Sequence, residues 1–97
     1  MSLDQLRYFV SVAETGSTHA ASRALHISQP PLSRHIKALE EELGVALFDR
    51  TARGMELRPE GRRFLVRARE VLGTLERAVD EVRRDRPPDD GLTSSSG

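Results

Sequence analysis

Apolar residues recur along this chain at helical spacing, and the places where that spacing breaks mark its elements. Leu3, Leu6, Phe9 or Val10, and Ala13 come every three to four residues and supply one buried face. Ser2 and Gln5 have the spacing of a capping box, and Gly16 can take the left-handed turn that ends a helix. A first helix is therefore predicted to start at Ser2 and close at Gly16. Ser17 then offers a second N-cap. The alanine-rich run to Leu25 covers barely two turns, with Ala21, Ala24 and Leu25 suited to a close helix–helix contact. A helix this short depends on packing for its stability.

In the next segment Leu32, Ile36, Leu39 and Leu43 form one helical stripe, directly after two consecutive prolines, Pro30 and Pro31. With Ser28 as the natural N-cap, Gln29, Pro30 and Pro31 occupy the first turn. Backbone N–H groups there have no intrahelical acceptor, so proline loses nothing and its fixed φ suits the helix. Gly44 closes the helix. At about 100° per residue, the other face collects Gln29, Pro30, Ser33, Arg34 and Lys37 as a polar arc. Glu40, Glu41 and Glu42 follow only at the far end, and the acids in general read as exposed helical residues.

Residues 47–57 read as two short strands around a turn at 51–54. Pro59 begins a long helix in which Leu65, Ala68, Leu72, Leu75, Val79 and Val82 step by alternating threes and fours, a heptad seam. Phe64, Val71 and Ala78 add a second stripe beside it. The seam is expected to meet a partner helix in a homodimer, while the second stripe covers its own domain. Pro87 and Pro88 are expected to end the helix. The polar, serine- and glycine-rich remainder is expected to be disordered.

The fold class that results is mostly α: a winged helix-turn-helix, three helices plus a two-stranded wing, followed by a long dimerisation helix. Residues 1–58 are expected to form the winged unit, with the helix-turn-helix at about 18–37 and the wing at about 46–58. Residues 59–86 form the dimerisation helix, and 87–97 a disordered tail or truncated hinge.

Composition narrows the function. Ninety-seven residues with 37% apolar content allow one domain with a modest core, so a dimer interface would add stability. The aromatic residues are Tyr8, Phe9, Phe48 and Phe64, too few for a base-stacking platform. Cysteine is absent, which removes disulfides, thiol nucleophiles and thiolate zinc sites. No apolar run approaches the roughly 20 residues of a membrane span, and no leader pattern opens the chain. A cytoplasmic protein with no membrane association is expected.

The formal net charge is zero, which at first argues against a nucleic-acid partner. Its distribution argues the other way. Residues 16–39 hold Arg23, Arg34 and Lys37 with no acid, and all three histidines, His19, His26 and His35. Residues 50–58 hold Arg50, Arg53 and Arg58 against Glu56 alone. The local field, not the sum, is what phosphates meet.

The helix order matches the mechanics of a helix-turn-helix, in which the first turns of the second helix enter the major groove. Arg34 can donate two hydrogen bonds to a guanine edge, and Gln29 can pair with adenine. Ser33 and Lys37 suit phosphate contact, and Pro30 presents a blunt apolar surface to thymine methyls. Arg53, on the tip of the hairpin, suits a minor groove or its phosphates. Two recognition helices held by a dimer would read a double-stranded operator with two-fold related half-sites. The alternative is a solvated helix face on a protein-interaction module that binds no DNA. Enzymatic chemistry is not expected. The histidines lack metal-site spacing, Ser33 and His35 point apart, and there is no glycine-rich phosphate loop.

Three blocks of this sequence resemble the N-terminal domain of LysR-type transcriptional regulators: LRYFVSVAETGS, LHISQPPLSRHIKALEEELGVALFDR and RTARGMELRPEG. The resemblance runs from about Leu3 to Val82. It implies Gln29, Pro30, Ser33 and Arg34 as groove readers, Arg53 as the wing contact, and Lys37, Arg50 and Thr51 as supporting backbone contacts. It also implies a linker helix that dimerises antiparallel, with a tetramer as a further option for the longer regulator. No cofactor is expected in these residues. A small-molecule effector is expected for a larger C-terminal domain that this chain lacks. Three positions depart from the family pattern. Thr18 stands where a bulky apolar residue is common, and Ser22 where alanine is usual. Arg58 replaces a capping threonine, a loss of about 1 kcal/mol that Glu60 is expected to offset.

Overall fold

A computed structural model describes residues 1–84. Its elements are α1 (Leu3–Thr15), α2 (Thr18–Leu25), α3 (Gln29–Leu43), β1 (Phe48–Thr51), β2 (Gly54–Leu57) and α4 (Pro59–Arg84). This is the expected mostly helical winged helix-turn-helix with a long fourth helix. The predictions for residues 87–97 lie outside the described residues.

Local chemistry sets most of the boundaries. The capping box of α1 is complete: the Gln5 N–H donates to Ser2 Oγ at 3.1 Å, and the Ser2 N–H to Gln5 Oε1 at 3.3 Å. Gly16, at φ 74°, ends the helix by donating its N–H to the Val12 carbonyl. Ser17 caps α2 through the Ala20 N–H at 3.1 Å. The turn to α3 runs through His26 at φ 59°, and the Ile27 N–H returns to the Ser22 carbonyl at 3.0 Å. That return bond satisfies one of the helix's spare carbonyls.

Ser28 stands at the N-cap of α3, but its side chain makes no capping bond. The reason is covalent. A capping hydroxyl accepts from the second or third N–H of the helix, and those residues are Pro30 and Pro31, which have none. The prolines thus replace the cap, removing the spare donors instead of satisfying them.

Around α1 the other elements assemble: α2, α3, α4 and β2 all pack against it. Its fully buried face is Leu6, Phe9 and Val12, while Leu3 in the first turn remains 41% exposed. Phe9 meets Phe48 of β1 and Phe64 of α4, with ring centroids 5.5 and 5.2 Å apart. Leu32, Ile36 and Leu39 of α3 and Ala21 of α2 complete this core with Leu47 and Met55. Of the expected α2 contacts, Ala21 is buried and Leu25 packs on the core, but Ala24 faces solvent. Ser22 is buried in its place and satisfies its hydroxyl on the His19 carbonyl at 2.7 Å.

The wing is antiparallel, with Phe48 opposite Leu57 and Thr51 opposite Gly54. One bond ties it to the end of α1, and another extends its own ladder at the base. The Met55 N–H donates to the Gly16 carbonyl at 2.9 Å, and the Arg58 N–H to the Leu47 carbonyl at 2.9 Å. Gly54 adopts φ 118°, and a Cβ there would collide with the Gly16 carbonyl oxygen, so the contact requires glycine.

The long helix corrects the expected dimer seam. Leu65 and Ala68 are buried in the core of their own domain, and Leu72 packs against the same core. Leu65 and Ala68 are therefore not free to meet a partner helix, while Leu72 stays half-exposed. In the second stripe only Phe64 covers the domain, since Val71 is 47% exposed and Ala78 is exposed too. The physical reason is rotation and length. The domain covers only the first half of α4, and the wing delivers that half with the Leu65–Ala68 side inward. Leu75 is half-buried, and Val79 and Val82 are exposed on the projecting half.

Candidate nucleic-acid interface

The first two turns of α3 stand at the surface because its apolar stripe is spent on the core. Leu32 and Ile36 point inward, which leaves Gln29, Pro30, Arg34 and Lys37 exposed and Ser33 half-exposed. Arg34 and Lys37 make no ion pair and no side-chain hydrogen bond among the described residues. Other arginines of the domain are engaged: Arg7 with Asp4, Arg58 with Asp49, and Arg69 with Glu14. Two cations without an ion pair among the described residues thus sit on the exposed face of α3.

Across a shallow cleft, Arg50 of β1 joins them. Lys37 and Arg50 line this cleft together with Glu40, and its floor is Ile36, Phe48 and Met55. Arg50 also lacks an ion pair among the described residues, so the α3 arc and the wing form one basic surface. At the wing tip, Arg53 is 84% exposed and its Nε lies 3.0 Å from Glu56 Oε2. An exposed pair of this kind contributes about 0.2–1 kcal/mol, so Arg53 can exchange its carboxylate for a phosphate. Thr51, at the end of β1, is exposed as well. Its hydroxyl accepts from the Arg53 N–H at 3.1 Å and donates to the Gly54 carbonyl at 3.4 Å, which shapes the turn.

Four residues outside the expected set bear on this surface. The Gln29 amide is held by His19 and Thr18 of α2: Nε2 is 3.0 Å from His19 Nδ1, and Thr18 Oγ1 donates to Oε1 at 3.4 Å. Glu40, expected among the exposed acids, accepts from the Leu47 and Phe48 N–H groups at 2.7 and 3.1 Å. It locks α3 to the root of the wing. No periodic pattern signals these contacts, because each joins residues on different elements. Arg58, at the start of α4, does not cap that helix. It donates to Asp49 Oδ1 at 2.8 Å and approaches Glu60 at 3.7 Å. The hydrogen bond and charge of Asp49, then the charge of Glu60, raise the guanidinium pKa above its usual value. It is a permanent cation that ties the wing to α4.

The sequence profile described as "Bacterial regulatory helix-turn-helix protein, lysR family" matches residues 3–62, which covers all of α1 to β2 and the start of α4. The chain belongs to the LysR family. It is 54% identical over 83 residues to the HTH-type transcriptional regulator TfdS of Cupriavidus pinatubonensis (strain JMP 134 / LMG 1197). That match spans 86% of this chain and 28% of TfdS. Among solved structures it resembles the CbnR DNA-binding domain in complex with DNA, with TM-score 0.83 and 45% identity over 90% of this chain and 100% of that one. A second is the BenM DNA-binding domain with benA site 1 DNA, with TM-score 0.82 and 44% identity over 87% of this chain and 98% of that one. The LysR-type relatives are transcription regulators, and among the described residues no group of three or more His, Cys, Asp or Glu could hold a metal ion. Nor is any described helix long and apolar enough to cross a membrane.

Proposed function

We propose that this domain binds double-stranded DNA sequence-specifically, with the first turns of α3 in the major groove and the wing at the adjoining minor groove. The observation that carries this is the exposed polar arc of α3, whose cations Arg34 and Lys37 have no partner among the described residues, continued by Arg50 on the wing. Phosphate contacts by Lys37, Arg50 and Arg53 supply salt-dependent affinity. Arg34 and Gln29 supply base choice, with Ser33 and Pro30 between them. Thr51 acts through the turn that carries Arg53. A protein-interaction module without DNA binding is the weaker reading, because this face is polar and cationic where an interface core would be apolar.

The projecting half of α4 supports a homodimer through Leu75, Val79 and Val82, with Val71 and Ala78 beside them. A dimer would present two α3 helices to two-fold related half-sites. By the length of TfdS, the natural setting of this unit is a larger, ligand-responsive cytoplasmic regulator. Its small-molecule effector would bind outside the residues described, and a tetramer is its further assembly.

The deciding experiment is selection of bound duplexes from a random pool, followed by affinity measurements on the enriched sequence across a salt series. A two-fold related motif with affinity falling steeply as salt rises is expected. No enriched motif, or binding that ignores salt, would sink the reading.

A further inference from the structure

Gln29 opens α3 and is exposed, yet its amide is not free to turn. Nε2 lies 3.0 Å from His19 Nδ1, and Oε1 accepts from Thr18 Oγ1 at 3.4 Å. An amide nitrogen only donates, so this orientation of Gln29 makes His19 Nδ1 the acceptor and requires the imidazole proton on Nε2. The two contacts are not equivalent. A hydroxyl donates or accepts, so Thr18 tolerates either orientation of the amide. The Nδ1 lone pair takes only the NH2 end. In its Nε2–H tautomer His19 therefore selects which end of the amide faces which way, whereas the Nδ1–H tautomer would take the Oε1 end instead.

A glutamine amide carries two N–H donors and two acceptor lone pairs. His19 and Thr18 occupy one of each, which leaves one donor and one acceptor. That is the pair an adenine edge takes through its N7 and N6 groups. An amide free to flip would present those groups in either order and discriminate less.

We propose that His19, assisted by Thr18, is a specificity-positioning residue: it holds the Gln29 amide in one orientation so that α3 presents a fixed donor–acceptor order to one base pair. This rests on the reading that α3 enters the major groove. His19 itself contacts no base. It acts across the two helices, from the first turn of α2 to the first residue of α3.

The test compares duplexes selected from a random pool by the wild-type chain with those selected by Gln29→Ala, His19→Ala, His19→Asn and Thr18→Val. Gln29→Ala identifies the base pair that Gln29 reads. At that pair, His19→Ala is expected to lower the preference for the favoured base by about 5- to 50-fold, a range within that of one bidentate contact. The preferences at other pairs and the salt slope should stay as they were. His19→Asn, whose Oδ1 can accept the same N–H, should recover much of the preference, and Thr18→Val should cost less than His19→Ala. An unchanged preference in His19→Ala, or a loss spread evenly over all pairs, would overturn the proposal while leaving DNA reading intact. A wild-type chain that enriches no motif would overturn both. Without any DNA, imidazole nitrogen shifts should show His19 in its Nε2–H form. A shift of that balance in Gln29→Ala supports the contact, and the same balance with and without Gln29 overturns it.

Discussion

The Glu40 carboxylate on α3 receives the Leu47 N–H at 2.7 Å, and so the helix that faces the candidate groove holds the root of the wing directly. The same oxygen takes the Phe48 N–H at 3.1 Å. Glu40→Ala should leave these donors without an acceptor and cost on the order of 1–3 kcal/mol. The thermal midpoint should then fall by roughly 4–8 °C per kcal/mol. Glu40→Gln keeps a carbonyl oxygen and should recover part of the loss. A midpoint equal to wild type in Glu40→Ala would show that the contact contributes nothing.

Two glycines of α4 should respond oppositely to alanine. At Gly61 a Cβ would collide with the Leu47 carbonyl oxygen and stand 2.8 Å from Leu57 Cδ2. Gly61→Ala must push α4 away from the wing and should cost about 1–3 kcal/mol or more. At Gly73 the nearest atom would be Arg77 Nη1 at 3.5 Å, at the end of a flexible side chain. Gly73→Ala should therefore stabilise by about 0.5–1 kcal/mol through helix propensity. Denaturant titration of both variants checks the pair of signs.

The two halves of α4 should separate stability from assembly. Leu65 is 8% exposed within the core, so Leu65→Ala should cost about 2–5 kcal/mol in unfolding free energy. Val82 is 72% exposed on the projecting half. Val82→Asp should leave the fold intact by circular dichroism and shift sedimentation towards the monomer. A dimer that survives Val82→Asp and Val79→Asp together would place the interface elsewhere.

Arg34 has no ion pair or side-chain hydrogen bond among the described residues, so its truncation should report on DNA alone. Arg34→Ala should weaken binding to the selected duplex by on the order of 1–3 kcal/mol and relax preference at one base pair. Equal weakening on every sequence would make it a phosphate contact instead.

At the wing tip, Arg53 is paired with Glu56 at 3.0 Å. Arg53→Ala should reduce the slope of log affinity against log salt by about 1 and change base preference little. Glu56→Gln releases the arginine and removes a negative charge from the footprint, so binding should tighten at low salt. Filter binding across a salt series distinguishes these outcomes, and two unchanged slopes would exclude the wing from the interface.

Most of the architecture was legible in the chain because its signals are local. The Ser2–Gln5 box, Gly16, the Pro30–Pro31 start and Gly44 each act within one turn of backbone, and the structure places boundaries at all of them. The exposed arc of Gln29, Pro30, Arg34 and Lys37 followed from the same rule, since the opposite stripe had to be buried. Contacts that cross between elements were not legible. Ser28 has the right identity and position for a cap, yet the prolines beyond it leave no N–H to receive. Glu40 looks like a solvent-facing acid until the loop returns Leu47 and Phe48 to it. His19 and Thr18 give no sign in the sequence that they hold Gln29.

The sequence by itself determined where α1, α2 and α3 start and stop and where α4 starts, which stripe of each is apolar, and that the first turns of α3 carry cations without acids. Hydrogen-bonding periodicity and capping depend only on near neighbours, so they can be read without a fold. Only the tertiary structure decided what each apolar stripe meets. An unbroken heptad seam runs from Leu65 to Val82, but the wing turns the chain so that Leu65 and Ala68 close the domain's own core. Val79 and Val82 lie beyond the reach of that core and are left exposed. Burial is a property of what arrives opposite a residue, and that is settled by the path of the chain between them.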